Sequence, residues 1–293
     1  MGFWSNLFKS RPKDSVKPIN IQDRFDLENP IGQGSMSKVY RARDKMLGRT
    51  VCLKVLDKQK TQRFEERFKG LKRPNEGVVS VSLRHKNIVR TYEWGLTNKG
   101  EVWLAMEMIE GVGLNFLIET RNKQLEGNRL NYLGQIAEGL QYIHDQNYMH
   151  RDICPRNTMI NTEGVVKLID FGLTIPNTAE FRRPGNRTGS ANYMAPELIK
   201  RVSTDHRVDL FALGVTAYES FTQSLPWEGA QSLQTMLSHL NAPGRDPRDF
   251  NPDLSDEVVK FLMKAIERDP RDRFQSAKEF REVCRRLGEK NPL

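Results

Sequence analysis

Short apolar runs near the start of the chain give way to apolar residues at helical spacing farther along. In residues 25–55, apolar and β-branched residues surround a glycine-rich turn and a loop at residues 45–49, a pattern that predicts strands. A charged segment from Val55 to about Lys72 predicts a helix, which Pro74 interrupts or restarts. Further strands are predicted at two places: residues 85–93 and residues 101–108. This part of the chain therefore predicts a small, mainly β region.

The pattern changes beyond about residue 110. Apolar positions then recur every three or four residues, which is the spacing of one face of an α-helix. Four segments follow this spacing: residues 130–146, 208–221, 257–267 and 276–287. The chain therefore predicts an α+β protein with a small β-rich part and a larger, mostly α part. No internal repeat or low-complexity tract interrupts this organisation.

One stretch carries the side chains that phosphoryl transfer requires. Residues 150–157 read His-Arg-Asp-Ile-Cys-Pro-Arg-Asn, and residues 170–172 read Asp-Phe-Gly. Phosphoryl transfer needs metal ligands, a cation on the nucleotide phosphates and an acceptor for the proton of the attacking hydroxyl. The side chains that fit these tasks are two carboxylates, an amide and an ammonium: Asp152, Asp170, Asn157 and Lys54.

These two motifs and three others stand in the order found in protein kinases. Residues 150–157 resemble the catalytic loop of that family, and residues 170–172 resemble its D-F-G motif. The other matches are a glycine-rich segment, a lysine-bearing strand and an A-P-E motif: residues 31–39, 51–54 and 195–197. The sequence of the carboxyl-terminal half, including residues 269–274, resembles that of the eukaryotic-like (Hanks-type) serine/threonine kinases of bacteria.

The resemblance implies a two-lobed protein kinase fold, with a small β-rich N-lobe that holds one C-helix and a larger, mostly α C-lobe. The implied parts, in order, are a leader (residues 1–24), the N-lobe (25–107), a hinge (107–111), the C-lobe (112–288) and a tail (289–293). The implied activity is transfer of the γ-phosphoryl group of ATP, with Mg²⁺ or Mn²⁺, to serine or threonine hydroxyls of proteins. Autophosphorylation is a further implied reaction.

The resemblance also assigns residues to the nucleotide. Gly32 and Gly34 let the backbone approach the phosphates, and Lys54 holds the α and β phosphates. Ser37 replaces the family's third glycine, which stiffens the loop without abolishing binding. Hinge backbone groups bond adenine, and Met106 closes the back of the pocket. The full set is Ile31, Gly32, Gly34, Val39 and Lys54 in the N-lobe, Met106, Glu107 and Met108 or Ile109 at the hinge, and Met159 in the C-lobe.

Lys54 requires a carboxylate partner, because a buried ammonium is stabilised only beside fixed anions. The segment at residues 83–89 resembles the turn after the kinase C-helix, and counting back from it places the partner at Glu76. Pro74 just before it, and Ser80 where the family has a large apolar residue, weaken this register. Two residues remain as alternatives if the helix is displaced: Glu65 and Glu66.

The catalytic loop departs from the family at one position. Asp152 is implied as the catalytic base, Asp170 as a ligand of both metal ions and Asn157 as a ligand of one. Serine/threonine kinases usually carry a lysine where Cys154 stands. We hypothesise that Arg156 reaches back to supply the missing charge on the phosphate side. The alternative is an Arg156 that lies on the surface.

The activation segment, residues 170–197, favours serine or threonine acceptors. Ser190 stands where the family places the hydroxyl that bonds the catalytic aspartate. Arg151 precedes that aspartate, and in the family such an arginine often receives an activation-segment phosphate. The candidate phosphorylation sites are Thr188, Thr178 and Thr174.

Two other functions stay open at this stage. The first is a nucleotide-binding pseudokinase that acts as a scaffold, which Cys154, Ser37 and Ser80 motivate. The second is a small-molecule kinase of related fold, against which the complete A-P-E segment argues. Phosphate incorporation into a protein acceptor that depends on Asp152 separates these functions from the leading one.

The amino-acid composition narrows the partners and the cellular compartment to be expected. The net charge of +9 comes from dispersed basic residues, so specific nucleic-acid binding is not expected, and acidic proteins or anionic lipids are better partners. Three cysteines without metal-ligand spacing indicate a reduced, cytoplasmic compartment. Apolar residues within residues 3–13 share one helical face beside basic residues, which leaves open a peripheral membrane contact or a flexible leader.

Overall fold

The computed structural model describes residues 17–33, 36–185, 188–227 and 240–290. By their contacts, the described residues divide into two compact units. The first lies within Met1–Arg84 and Val89–Ile109, and the second within His85–Ile88 and Glu110–Leu293. Among the described residues, no helix is both long and apolar enough to cross a membrane.

The first unit is built on a five-stranded antiparallel sheet with strand order β1-β2-β3-β5-β4. In chain order its elements are α1 (Ile21–Arg24), β1 (Phe25–Gln33), β2 (Ser37–Asp44), β3 (Arg49–Leu56), α2 (Lys58–Glu65), α3 (Glu76–Ser82), β4 (Thr91–Leu96) and β5 (Val102–Glu107). Alternating positions of these strands bury one apolar face. The residues of that core are Phe25, Ala42, Val51, Leu53, Trp103 and Ala105.

The first unit begins earlier than the predicted boundary at Phe25. Ile19 forms a parallel bridge with Thr97, and α1 follows. The buried guanidinium of Arg24 donates to Asp44 at 2.9 Å and to Glu93 at 2.7 Å. Residues 17–24 therefore belong to this unit and not to a separate leader, whereas residues 1–16, with the apolar face proposed for membrane contact, lie outside the described residues.

The strand predicted at residues 85–93 begins only at Thr91. Hydrogen bonds from Asn87 explain the difference. Its amide nitrogen donates to Gln135 and to the carbonyl of Val166, both at 3.0 Å. These bonds hold residues 85–88 in the second unit, so this part of the segment predicted as N-lobe belongs to the second unit. The predicted helix after Val55 is also shorter than expected and ends at Glu65 before a 3₁₀ turn.

The second unit is mostly helical. Its elements are β6 (Gly111–Gly113), α4 (Leu114–Glu119), α5 (Lys123–Glu126), α6 (Arg129–Asp145), β7 (Tyr148–Met149), β8 (Thr158–Asn161), β9 (Val166–Leu168), β10 (Ile175–Pro176), α7 (Pro196–Ile199), α8 (Arg207–Thr222), α9 (Asp256–Ala265) and α10 (Ala277–Lys290). The four predicted helices correspond to α6, α8, α9 and α10. Strands β6, β8 and β9 form one small sheet, and β7 pairs with β10. Helix α8 is buried along nearly its whole length, as expected of a helix that is apolar on all sides.

Candidate active site

The first unit brings together the predicted ion pair. Lys54 lies on β3, between Val39 of β2 and Leu104 of β5. Its Nζ donates to Oε1 of Glu76 at 2.6 Å, and both side chains are 8% exposed. Since two buried opposite charges stabilise each other only at close range, this contact orients the ammonium.

The start of α3 explains why Glu76 is in place. Pro74 stands before the helix, where its missing N–H costs no helical hydrogen bond. Asn75 then caps the helix, because its side-chain oxygen accepts from the N–H of Val78 at 2.9 Å. Glu76 is therefore the first helical residue. Pro74 delimits α3 and does not displace it.

The glycine-rich segment is described in part. Gly32 pairs with Val39 across β1 and β2, and Ile31 beside it is 49% exposed. Ser37, which replaces the family's third glycine, is buried at the start of β2. Gly34 lies outside the described residues.

The predicted hinge begins at the last residue of β5, Glu107, and continues beyond that strand. Met106 is 6% exposed and pairs with Cys52 of β3. The N–H of Glu107 donates to the carbonyl of Arg90 at 2.8 Å, so this N–H is engaged within the first unit. Ile109 is half-buried and is the last residue of that unit's second segment.

In the second unit the Asp152 carboxylate is held from two sides. Oδ1 accepts from the N–H of Ser190 at 2.9 Å and from its Oγ at 2.8 Å. Oδ2 accepts from Nδ2 of Asn157 at 2.8 Å. These three bonds occupy all but one of the about four lone-pair sites of the carboxylate, and the last site then has a fixed direction, as orientation of a substrate hydroxyl requires.

Asp209 of α8 holds the backbone that carries Asp152. This completely buried carboxylate accepts from the N–H of His150 at 2.8 Å, from the N–H of Arg151 at 2.7 Å and from Nε2 of His144 at 2.9 Å. Burial acts to raise the pKa of Asp209, but the bonds and charge from the His144 ring outweigh burial and lower it. Arg151 has a φ of 68°, so these bonds also support a left-handed backbone. This anchoring role was not foreseen, although a single carboxylate within the apolar stretch 208–218 of α8 was its signal.

The predicted metal-binding side chains have suitable donor atoms. Nδ2 of Asn157 donates to both the carbonyl and the carboxylate of Asp152, at 2.9 and 2.8 Å, which leaves its amide oxygen for a cation. Oδ1 of Asp170 accepts from the N–H of Gly172 at 2.9 Å. Amide and carboxylate oxygens are the ligands of hard divalent cations such as Mg²⁺. The oxygen atoms of Asn157 and Asp170 therefore suit a bound Mg²⁺ ion. Met159, assigned to the nucleotide, lies half-buried on β8.

Cys154 supplies no charge beside Asp152. Its side chain is 2% exposed, and burial, together with the Asp152 charge, raises the pKa of the thiol to about 12. Arg156 is exposed on the neighbouring 3₁₀ turn. Burial raises the pKa of Tyr193 and of Glu219, and the positive charge of Arg156 acts to lower both. The side chains of Tyr193 and Glu219 share a hydrogen bond of 2.6 Å. The structure therefore places Arg156 at the surface near these two residues.

The activation segment buries two of the three candidate threonines. Thr174 is fully buried, with a long hydrogen bond of 3.4 Å to the carbonyl of His150. Thr188 is 6% exposed, and its Oγ1 has no hydrogen-bond partner among the described residues. Thr178 is half-buried. Modification of Thr174 or Thr188 would therefore require this segment to move, because a phosphate cannot be added to an enclosed hydroxyl.

The end of the segment is anchored by a buried ion pair. Nη1 and Nη2 of Arg273 donate to the two carboxylate oxygens of Glu197, each at 2.8 Å. Glu197 is the glutamate of the A-P-E motif at residues 195–197. Arg273 also donates to the carbonyl of Glu267 at 2.6 Å, which links α7 to the loop after α9. The bidentate geometry gives the pair directional strength.

Comparisons with known proteins agree with this geometry. The protein kinase domain model matches residues 25–284. A probable serine/threonine-protein kinase of Clostridium perfringens is 31% identical over 88% of this chain and 37% of its own length. The serine/threonine-protein kinase PrkC of Bacillus subtilis is 30% identical over 88% of this chain and 40% of its own length. An Aurora kinase of Saccharomyces cerevisiae is 32% identical over 91% of this chain and 70% of its own length. The chain thus spans about two fifths of the length of the bacterial relatives.

Proposed function

The chain belongs to the protein kinase domain family, and we propose that it transfers the γ-phosphoryl group of Mg-ATP to serine or threonine hydroxyls of proteins. The observation that carries this proposal is the pair of hydrogen bonds from Ser190 to Asp152, at 2.9 and 2.8 Å. They join the activation segment to the proposed base, as expected where a substrate hydroxyl must be placed beside that base.

The roles of the chain's own residues follow from their contacts. Asp152 orients the acceptor hydroxyl and takes its proton as the bond to phosphorus forms. Lys54, held by Glu76, provides the positive charge for the nucleotide phosphates. Asn157 and Asp170 would hold Mg²⁺, which when bound neutralises phosphate charge.

The nucleotide-contacting set remains as proposed from the family. The sheet of the first unit supplies Ile31, Gly32, Val39, Met106 and Glu107, the segment after β5 supplies Ile109, and β8 supplies Met159. Gly34, which lies outside the described residues, completes the proposed set. Because the N–H of Glu107 is engaged by Arg90, adenine would be bonded by the Glu107 carbonyl and by the N–H of Ile109.

Arg156 is proposed to supply the positive charge that Cys154 lacks. Its support is the permanent charge of a guanidinium, its exposure and its place in the turn that also carries Asn157.

Autophosphorylation is proposed at Thr178, because Thr174 and Thr188 are buried. A cytoplasmic setting is proposed because Cys52, Cys154 and Cys284 are free thiols.

The deciding experiment incubates the purified chain with γ-labelled ATP, Mg²⁺ and a generic protein acceptor. The expected result is label on serine and threonine of the acceptor, and no label with the Asp152→Asn variant. Label that persists in that variant, or no label with either chain while both bind ATP, would contradict the proposal. The second result is what a nucleotide-binding scaffold would show.

A further inference from the structure

A second positive charge lies close in sequence to Glu76, the partner of Lys54. Arg73 precedes Glu76 by three positions, in the segment that joins α2 to α3. Its guanidinium carbon lies 4.8 Å from the ring centre of Phe64 and 5.4 Å from that of Phe68. The two rings meet edge to face, with centroids 5.4 Å apart. Both rings are buried, so Arg73 rests on a rigid aromatic support.

Arg73 stands two residues before the cap Asn75 and three before Glu76, so a guanidinium fixed on the two rings also fixes the chain at the start of α3. Burial lowers the pKa of the guanidinium, and the carboxylates of Glu76 and then Glu65 act against that effect. Arginine keeps its charge in proteins, so a permanent cation stands on the amino-terminal side of α3. A carboxylate has two oxygens and can accept hydrogen bonds from two cations. Glu76 can therefore be held by Arg73 while it receives the 2.6 Å bond from Lys54.

Helix α3 needs such an anchor. It contains only seven residues, and a helix of that length is not stable without tertiary contacts. Two of its inward-facing residues, Gly77 and Ser80, are small. A Cβ added at Gly77 would lie 2.6 Å from the Trp94 ring, so the helix packs closely on β4 at this point. Val79 is the apolar side chain that α3 buries fully, so the remaining contacts of its inward face come from small or charged residues.

We propose that Arg73 is a positioning residue for catalysis. Its guanidinium, resting on Phe64 and Phe68, holds the first turn of α3 so that the Glu76 carboxylate stays at the Lys54 ammonium. This role rests on the proposed kinase activity, because it matters to turnover only if Lys54 holds nucleotide phosphates. Arg73 also connects α2 and the following 3₁₀ turn, which carry Phe64 and Phe68, with the Lys54–Glu76 pair. A displacement of α2 or of this turn would therefore alter activity without contact with ATP.

The test compares Arg73→Met with Arg67→Met, each in the wild-type chain and in Glu76→Gln. Arg67 is a matched control: it also lies over Phe64, at 5.9 Å, but is exposed. We expect Arg73→Met to lower kcat/KM for ATP about tenfold, which corresponds to about 1.4 kcal/mol of lost stabilisation. In the Glu76→Gln background, Arg73→Met should lower kcat/KM for ATP less than about twofold, because residue 76, through which Arg73 acts, is already neutral. Arg73→Lys should recover part of the loss.

An equal loss in both backgrounds, or an equal loss from Arg67→Met, would overturn the proposal. A thermal unfolding midpoint checks that each variant is folded. Amide hydrogen exchange supplies a readout that does not need activity: Arg73→Met should accelerate exchange in residues 77–82, and Arg67→Met should not. If the wild-type chain transfers no phosphate, the kinase proposal fails, and exchange alone still decides whether Arg73 holds α3. Unchanged exchange in Arg73→Met would refute the positioning role.

Discussion

Ser190 donates two hydrogen bonds to one oxygen of Asp152, from its backbone N–H at 2.9 Å and from its hydroxyl at 2.8 Å. The activation segment thus touches the proposed base directly. The backbone bond does not involve the Ser190 side chain, whereas the hydroxyl bond depends on it. This difference allows the contribution of the hydroxyl to be measured separately.

Ser190→Ala should lower kcat about tenfold, because one charge-assisted hydrogen bond to Asp152 is lost and the carboxylate gains freedom. Ser190→Thr, which keeps the hydroxyl, should retain most of the activity. Steady-state phosphorylation of a protein acceptor measures both. If Ala and Thr variants turn over at the wild-type rate, the hydroxyl does not orient the base.

Asp152→Asn should lower kcat by about 10²- to 10⁴-fold, the usual contribution of a positioned general base. An amide keeps the shape of the side chain but cannot take a proton. Asp145→Asn, at the end of α6, is the matched control and should leave the rate unchanged. Equilibrium binding of an ATP analogue should be nearly the same in all three chains. A large loss of nucleotide affinity in Asp152→Asn would point to a different role for this residue.

Arg156→Ala should reduce kcat about tenfold if its guanidinium supplies the phosphate-side charge, whereas Cys154→Ala should have little effect. Cys154 is a neutral thiol, so its removal takes away no charge. Both variants are compared at saturating ATP and acceptor. Equally small effects would show that Arg156 does not replace the missing lysine.

Arg273→Met should reduce the free energy of unfolding by about 3 kcal/mol or more, because Glu197 would be left buried without its partner. Arg271→Met removes an exposed pair with Asp269 and should cost less than about 1 kcal/mol. Urea unfolding of each variant measures the difference. If the two substitutions lower the free energy of unfolding by similar amounts, burial does not determine how much the Arg273–Glu197 pair stabilises the fold.

The Glu219 carboxyl should make stability depend on pH. Burial raises its pKa above the ordinary value of 4.5, although the bond from Tyr193 acts in the opposite direction. The folded chain therefore binds this proton more tightly than the unfolded chain. The resulting stabilisation is full below about pH 4.5 and is lost as pH rises through the raised pKa.

Glu219→Gln removes this titration, so its stability relative to wild type should increase as pH rises above about 4.5 and through the raised pKa. Urea unfolding at several pH values measures the change. The exposed residue Glu163, changed to Gln, is the control and should show a smaller dependence. A difference between Glu219→Gln and wild type that does not vary with pH would contradict the effect.

Local patterns were sufficient for most elements of the fold. The helices α6, α8, α9 and α10 were predicted because apolar positions at helical spacing depend only on neighbours in sequence. The strand predicted at residues 85–93 was wrong at its start. Asn87 bonds to Gln135 and Val166, far away in sequence, and no local pattern reports such a contact.

The same distinction applies to the candidate site. Motif order alone assigned Lys54, Asp152, Asn157 and Asp170 to phosphoryl transfer, because each role demands a particular functional group at a particular spacing. Sequence left the partner of Lys54 open among three glutamates. The fold decided for Glu76, since Asn75 caps α3 at that residue and the Glu76 carboxylate lies 2.6 Å from Nζ of Lys54. Tertiary structure decides such questions because charge pairing depends on distance in space, which residue order does not specify.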